Sequence, residues 1–384
     1  MSDLLVPEVI DLDQKITGVG VWHLSLPVVS RRDHGIGSVS GHMEVVVVRL
    51  DLDNGLSGFG EAAPWAVFTG TPEASFAAID RYFRPHLLGS RLGDLQSTLG
   101  MIQKIVVHCT EAKSAVESAL LDLAGQVLEK PVWQLFGSRC RERIPMSVSL
   151  ANPDFDEDKK LLERLADDGI RMVKLKTGFK SDEFDLMRAS YIRENHPEFN
   201  LRIDYNQGLD RETALDSTQL LDAVRPDFIE QPVVAHDYQT MARIRSAINS
   251  PLLADESVFG PEDMHRAIRE RICDGVSIKV MKSGGIIRGM AIAEIAEDNG
   301  LPAYGGDMFE TGLAHLAGIH MIAVACNIKL GCEFYHSKYY LFEDLLTQPL
   351  RMDKGNVCVP EDPGLGYTVN PHILEKYSIK ASLT

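Results

Sequence analysis

Hydrophobic and polar residues follow two different patterns along the chain. Val45–Leu52 is rich in β-branched residues, as strands are, and the Asp53–Gly55 segment after it is a strong hairpin turn. From about Pro72 to Leu128 the apolar residues recur with a spacing of about 3.6, which is typical of helices. Strands followed by helices predict an α+β module, which we place at residues 1–135.

From about Ile144 onwards, short apolar runs alternate with helical segments. The eight predicted strands are Pro145–Leu150, Met172–Lys176, Leu201–Asn206, Phe228–Glu230, Leu252–Asp255, Gly275–Met281, Leu301–Tyr304 and Leu330–Phe334. Eight strands separated by helices are the count of a (β/α)8 barrel. The predicted fold class is therefore α/β plus α+β, with a (β/α)8-type barrel at residues 136–355, the α+β module as its capping domain, and residues 356–384 returning to that domain.

Three acidic residues end three successive apolar runs. Asp204, Glu230 and Asp255 follow one another at intervals of 26 and 25 residues, about the length of one strand–helix–strand unit. Their carboxylates are predicted at the C-terminal ends of neighbouring parallel strands, facing one mouth of the barrel. Oxygen ligands without His or Cys favour Mg²⁺ or Mn²⁺ over Zn²⁺. Asn206 is predicted on the same face, where it would hydrogen-bond a metal ligand.

Lysines flank these acids along the chain. Lys174 and Lys176 lie on one face of their strand by alternation, and Lys279 lies 24 residues beyond the last acid. Burial and a neighbouring like charge both lower the pKa of an ammonium group, which would make such a lysine a base. The alternative is a pair of surface lysines on an edge strand. Lys282 is predicted in a loop, and Glu333 occupies the eighth strand.

Acids and lysines in this order point to one kind of chemistry. A divalent cation held by three carboxylates can bind a substrate carboxylate and stabilise the enolate that forms when the α-proton leaves. A lysine on either side of the enolate plane can remove or deliver that proton.

The motifs together resemble the enolase superfamily, and specifically its muconate-lactonizing subgroup, over nearly the whole chain. The matching segments are Gly58–Ala62, Lys174-Leu-Lys176, Asp204-Tyr-Asn206, Glu230-Gln-Pro232, Asp255-Glu-Ser257, Lys279 and Lys282–Gly285. The resemblance implies an isomerase that depends on Mg²⁺ or Mn²⁺ and forms a homo-oligomer, with an octamer as one form. It also implies that Lys176 and Lys279 transfer protons, that Lys174 is a charge partner of the substrate carboxylate, and that Glu333 is the eighth-strand acid.

Several activities share this machinery, and the first cap loop favours one of them. Arg31–His34 resembles the Arg- and His-bearing loop of cycloisomerases, whose cations would face the distal carboxylate of a dicarboxylic acid; the alternative is a solvated basic turn. We therefore expect a cycloisomerase acting on cis,cis-muconate or a related dicarboxylate. The alternatives are an N-acylamino-acid racemase, an o-succinylbenzoate synthase and a dipeptide epimerase. Epimerases favour Asp-x-Asp after the seventh strand, whereas Asp307-Met-Phe309 has only the first acid.

The resemblance also implies two cap loops that close over the substrate, at residues 28–41 and 64–71. Trp65 and Phe68 would line this lid, although both fit the core of the cap equally well. The sequence supports Asp307 and Glu256 less strongly as site residues, because each could cap a helix. The candidate substrate-binding residues are Arg32, His34, Trp65, Phe68, Asp307 and Glu310. The twelve histidines show no metal-ligand spacing along the sequence.

Composition excludes several other classes of protein. A formal charge of −16 over 384 residues argues against nucleic acid as a partner, and no apolar run reaches the roughly 18 residues of a membrane span. The first residues show no basic, hydrophobic leader, and none of the six cysteines forms a CxxC pair, so a cytoplasmic location is expected. The sequence contains no GxSxG motif and no GxGxxG motif after a strand, so neither a hydrolase nor a dinucleotide-dependent enzyme is supported.

Overall fold

A computed structural model describes residues 5–384, in which strands precede helices up to about residue 128 and alternate with them afterwards. The strands are β1 (Ile16–Pro27), β2 (Arg32–His34), β3 (Gly37–Val39), β4 (His42–Leu52), β5 (Ser57–Ala62), β6 (Arg143–Pro145), β7 (Ser147–Leu150), β8 (Met172–Lys176), β9 (Asn200–Asp204), β10 (Ile229–Glu230), β11 (Leu252–Ala254), β12 (Gly275–Ile278), β13 (Ala303–Gly305), β14 (Ile328–Cys332), β15 (Met352–Asp353), β16 (Asn356–Cys358) and β17 (Ser378–Ser382).

The helices lie between these strands and carry their apolar residues inward. They are α1 (Pro72–Ala77), α2 (Arg84–Leu87), α3 (Leu95–Ile105), α4 (Thr110–Val127), α5 (Phe155–Asp167), α6 (Asp182–Asn195), α7 (Ala214–Asp222), α8 (Tyr238–Arg245), α9 (Pro261–Glu270), α10 (Val280–Ser283), α11 (Ile286–Asp298), α12 (Gly312–Val324), α13 (His336–Tyr339) and α14 (Pro371–Lys376). A π-helical segment, Ala78–Phe83, joins α1 to α2.

The N-terminal strands form an antiparallel sheet with the order β17-β1-β4-β5. Strands β4 and β5 pair from Val46 opposite Ala62 to Asp51 opposite Ser57, which confirms the predicted hairpin. Helix α4 is buried along most of its length and packs on β5. This approach requires glycine in the strand, because a Cβ atom on Gly60 would overlap the carbonyl oxygen of Ala115.

Replacing Gly60 by alanine is therefore expected to lower the free energy of unfolding by about 1–3 kcal/mol, since the added methyl group must push α4 away from β5. Urea denaturation measures the change. Gly100→Ala in α3 is the matched control, because an added Cβ there meets nothing within 4 Å. It should raise stability by about 0.5–1 kcal/mol through helix propensity. Equal effects of the two substitutions on the free energy of unfolding would show that the close approach of Gly60 to Ala115 does not require glycine.

The eight strands β7 to β14 form one parallel sheet in sequence order. A parallel bridge between Met146 and Cys332 brings its first and last strands together, so the sheet is a nearly closed barrel. All eight predicted barrel strands are present, which confirms the (β/α)8-type fold. Because the strands are parallel, their C-terminal ends meet at one mouth.

Several predicted strand boundaries are wrong. Pro145 belongs to β6, which pairs antiparallel with β16 outside the barrel. Strand β9 ends at Asp204, because the backbone turns there and Asn206 adopts a φ of 42°. Strand β12 ends at Ile278, since the single helical turn α10 begins at Val280 and includes Met281. Strands β13 and β14 are displaced from their predicted positions by one or two residues.

The C-terminal segment contacts both parts of the chain. Strand β17 pairs antiparallel with β1 of the capping domain, with Val21 opposite Ser382, and β16 pairs antiparallel with β6, which directly precedes the first barrel strand. Within residues 5–384, no helix combines the length and the apolar character that crossing a membrane requires. Residues 1–4, on which part of the expectation about a leader rested, lie outside the described part of the chain.

Candidate active site

The three predicted acids lie together at the C-terminal mouth of the barrel. Asp204 is the last residue of β9 and stands beside Glu230, the last residue of β10. Asp255 directly follows β11, the next strand of the sheet. All three side chains are fully buried. Parallel pairing produces this grouping, because each acid ends or directly follows its strand at the same mouth of the barrel.

The Lys174 ammonium group is surrounded by carboxylates. Its Nζ is 2.6 Å from Glu333 Oε2, 3.1 Å from Glu230 Oε2 and 3.2 Å from Asp204 Oδ2. Burial alone would lower its pKa, but the surrounding acids outweigh burial and raise the pKa of Lys174 well above its usual value. The prediction of a lowered pKa is therefore wrong for this residue. Lys174 is a fixed cation that neutralises the acids.

Lys176 and Lys279 approach the acids from opposite sides. Lys176, on β8, donates a hydrogen bond of 2.6 Å to Asp204 Oδ2, and Lys279, which follows β12, has its Nζ 2.7 Å from Asp255 Oδ2. Both side chains are mostly buried and both line one cavity. For Lys279 burial would lower the pKa, but Asp255 and Glu256 raise it above its usual range, so the predicted direction is wrong here too.

Lys282 contributes to the site, although the sequence predicted a loop residue. It lies in α10, a helical turn that ends at Gly284 with a φ of 83°. Its Nζ donates hydrogen bonds to Asp255 Oδ1 at 2.7 Å and to the carbonyl of Ser277 at 2.9 Å. The pKa of Asp255 falls well below its ordinary value, because Lys279 and Lys282 together outweigh the opposing effect of burial.

Several buried oxygen atoms around the acids lack a hydrogen-bond donor. These atoms are Glu230 Oε1, Asn206 Oδ1 and Glu256 Oε2. Such atoms are costly to bury, and a set made only of oxygens suits a hard divalent cation. Burial raises the pKa of Glu230 to about 7 and the pKa of Glu256 to about 8. The residues present therefore fit the metal that the sequence predicts, with Glu256 closer to the site than its weak sequence signal suggested.

Asn206 connects these acids. Its backbone N–H donates to Asp204 Oδ1 at 2.8 Å, and its side-chain Nδ2 donates to Glu256 Oε1 at 3.2 Å. The positive φ of Asn206 places the side chain over the acids.

The two predicted cap loops cover a cavity beside the acids. Its volume is ≈ 30 Å³. Its lining residues are His34, Trp65, Phe68, Ser149, Lys176, Asn206, Lys279, Asp307, Met308, Phe309, Tyr335 and His336. The rings of His34, Trp65 and Phe309 contact one another edge-on, with centroids 5.2 to 5.3 Å apart. Four of the six predicted substrate-binding residues, His34, Trp65, Phe68 and Asp307, thus reach the cavity.

The other two, Arg32 and Glu310, lie behind its wall. Arg32 donates to the carbonyl of Ser149 at 2.9 Å and to the Tyr335 hydroxyl at 2.8 Å, and so holds the first cap loop on the barrel. Glu310 accepts a hydrogen bond from the backbone N–H of Met308. Burial raises the pKa of Glu310 well above its usual value, and nearby Asp307 adds to the effect.

Two histidines without any sequence signal meet Asp307 at the cavity wall. His336 Nδ1 is 2.8 Å and His315 Nε2 is 3.5 Å from Asp307 Oδ2. Within the described residues, these three form the group of potential ligands whose atoms all lie within 4.8 Å of one another. The oxygens of the three strand-end acids are less tightly gathered, because lysines occupy the space between them. His315 lies eight residues after Asp307, on a different element, so sequence spacing could not identify the cluster.

Known families and proteins match this chain over nearly its whole length. Residues 26–137 match the family described as mandelate racemase / muconate lactonizing enzyme, N-terminal domain, and residues 157–373 match enolase C-terminal domain-like. N-succinyl-L-Arg/Lys racemase of Bacillus cereus is 30% identical over 95% of this chain and 98% of its own. L-Ala-D/L-Glu epimerase of Clostridium acetobutylicum is 31% identical, with 91% and 98% covered. The crystal structure of a muconate cycloisomerase from Azorhizobium caulinodans has a TM-score of 0.83 and 36% identity, and covers 97% of this chain and 99% of that one.

Proposed function

Because this chain belongs to the enolase superfamily, in its muconate-lactonizing subgroup, we propose that it is a metal-dependent cycloisomerase acting through an enolate on cis,cis-muconate or a related dicarboxylate. One observation carries the proposal. Lys176 and Lys279 line one cavity from opposite sides of three buried acids. That arrangement suits proton transfer at a carbon next to a carboxylate.

Each group around the cavity has a separate task. Asp204, Glu230 and Asp255 would hold a divalent cation, which when bound supplies positive charge to the substrate carboxylate and to the developing enolate. Lys174 keeps the acids ionised and in place. Lys176 or Lys279 delivers the proton at the carbon next to the carboxylate, and the cap rings exclude water from that carbon.

The cavity lining favours an anionic substrate. Two ammonium groups and two imidazoles face the space, with Asp307 as the single carboxylate among its lining residues. His34 Nδ1 is buried there without a hydrogen-bond partner, so it is free to meet a polar group of the substrate. Burial holds the pKa of His34 well below its ordinary value, which makes its ring a neutral hydrogen-bond partner. Of the two candidate substrate-binding residues in this loop, Arg32 and His34, only His34 lines the cavity.

A racemase or epimerase of an amino-acid derivative is the second candidate. The observation in its favour is that both lysines reach the same cavity, as proton exchange on two faces requires. The relatives named above include a racemase and an epimerase of this kind.

Turnover of candidate substrates in D₂O separates the two functions. The panel contains cis,cis-muconate, a succinylbenzoate precursor, N-succinyl and other N-acyl amino acids, and dipeptides, each with Mg²⁺ or Mn²⁺. We expect lactone formation from muconate with one solvent deuterium, and no racemisation of N-acyl amino acids. The opposite result is deuterium at the α-carbon of both stereoisomers of an amino-acid derivative, without lactone formation. That result would show that the protein is a racemase or epimerase and not a cycloisomerase.

Metal dependence should be sensitive to Asn206. Asn206→Ala keeps the backbone hydrogen bond to Asp204 but removes the side-chain amide that orients Glu256, and is expected to weaken Mn²⁺ binding by about 10–100-fold. Isothermal titration after dialysis against EDTA measures this affinity. Asn195→Ala is the control, because Asn195 is exposed and donates only to the carbonyl of Tyr191. An unchanged dissociation constant in Asn206→Ala would remove Asn206 from the metal site.

A further inference from the structure

We infer that Asp307, His315 and His336 form a second cation site, separate from the three strand-end acids and suited to a borderline divalent ion such as Zn²⁺. The three acids belong to β9, β10 and the end of β11, the third to fifth strands of the barrel. The second cluster follows β13 and β14, the seventh and eighth strands. The two sites therefore occupy different sectors of the same mouth.

The three ligand atoms lie close enough together to share one ion. His315 Nε2 is 3.5 Å from both Asp307 Oδ2 and His336 Nδ1, and Asp307 Oδ2 is 2.8 Å from His336 Nδ1. Tetrahedral ligands at the bond lengths of Zn²⁺ are separated by about 3.3–3.4 Å, so two of the three separations fit an ion and the third would widen when one binds. Two imidazole nitrogens and one carboxylate oxygen form a donor set that zinc accepts, whereas Mg²⁺ prefers oxygens only.

The hydrogen bonds within the cluster leave one buried oxygen without a partner. His336 Nδ1 and His315 Nε2 lie 3.5 Å from each other. Asp307 Oδ2 makes no hydrogen bond of good geometry, although only 7% of its side chain is exposed. A cation among the three atoms would satisfy all of them together.

The surrounding structure holds the ligands in place. His315 lies in the first turns of α12 and packs on Phe334, with ring centroids 5.2 Å apart. His336 begins α13 and stacks on Tyr335 at 4.5 Å. Glu310 uses Oε1 to accept from the backbone of Met308, and its Oε2 lies 3.8 Å from His315 Nε2, outside the group of three ligands. Three protein ligands leave one position of a four-coordinate ion for water. A bound ion would fasten the segments after β13 and β14, which supply Asp307, Phe309 and His336 to the cavity wall.

Cobalt binding tests this site without reference to turnover. Metal-free protein is saturated with Mg²⁺, which occupies oxygen sites, and then titrated with Co²⁺. We expect one Co²⁺ per chain with the intense visible absorption of four-coordinate cobalt. The absorption should disappear in His315→Ala and in His336→Ala, and remain in Glu230→Gln, where only the acid site is changed.

A stability measurement supplements the spectra. Zn²⁺ should raise the melting temperature of the wild type in excess Mg²⁺ and leave that of His336→Ala unchanged, since an ion stabilises only the state that binds it. Circular dichroism shows whether each histidine variant folds. If one does not, Asp307→Asn, which preserves the size of the side chain, is used in its place. Wild-type protein without four-coordinate absorption, or absorption that persists in the folded histidine variants, would overturn the second site.

Discussion

Replacing Lys176 or Lys279 by alanine is expected to lower the turnover number by about 10²–10⁴-fold, the usual contribution of a positioned general acid or base. The fold and the acid cluster should survive both changes. Asp204 keeps its contact with Lys174 in the first variant, and Asp255 keeps its contact with Lys282 in the second. The effect should therefore appear in turnover and not in metal affinity.

Steady-state kinetics on the substrate found by the panel measure the loss, and isothermal titration with Mn²⁺ measures metal binding. Solvent deuterium incorporation shows which lysine serves which face, because the variant lacking the donor loses incorporation altogether. Lys180→Ala is the control, since Lys180 is exposed and donates only to the carbonyl of Pro153. Full turnover in both alanine variants would end the assignment of these lysines as proton carriers.

Lys174→Gln should reduce the free energy of unfolding by about 3–5 kcal/mol in metal-free protein, because it removes one partner of a buried charge cluster. Three carboxylates would then share a dry site with one ammonium group fewer. Lys174, Asp204 and Glu230 have fully buried side chains, and that of Glu333 is 2% exposed, so water cannot replace the lost charge.

Urea denaturation at neutral pH measures this loss. Lys159→Gln provides the control, because Lys159 pairs with Asp156 on the exposed face of α5 and such pairs contribute about 0–1 kcal/mol. Saturating Mg²⁺ should recover part of the deficit, since a cation bound by the same acids also neutralises them. A loss below about 1 kcal/mol would mean that the acids are protonated or solvated in the absence of Lys174.

The structure changes the expected roles of the cap residues. Arg32 was expected to face the distal end of a dicarboxylate, but its guanidinium lies against Tyr340 at 5.0 Å and holds the cap loop. His34 and the aromatic rings of Trp65 and Phe309 occupy the cavity wall instead. Under the proposed function, a neutral imidazole and the shape of the cavity would meet the distal group of the substrate in place of the Arg32 cation.

Glycines decide how closely the cap loop approaches the barrel. An added Cβ on Gly35 would meet the carbonyl oxygen of Tyr205, and one on Gly208 would lie 2.7 Å from the Cα of Gly35. The two loops thus contact each other through their backbones, one residue away from His34 and two residues after Asn206. This contact places the cap residue and the acid cluster in the same cavity, although neither loop carries a recognisable motif for it.

The sequence alone determined the alternating strands and helices of the barrel and the residues that end its strands. Apolar runs at regular intervals predicted all eight barrel strands, and because parallel strands end at one mouth, the positions of Asp204, Glu230 and Asp255 followed from spacing. Alternation within β8 placed Lys174 and Lys176 on one face. These features depend on short-range periodicity, which a chain carries in its residue order.

Only the tertiary structure decided which charges pair and which loops meet. The raised pKa of Lys174, the burial of Lys282, the structural use of Arg32 and the meeting of His315 with His336 all depend on contacts between separate elements. Arg32 and Tyr335, for example, are 303 residues apart. Such contacts follow from how helices and loops pack around the closed barrel, and local hydrophobic patterns contain no information about their partners.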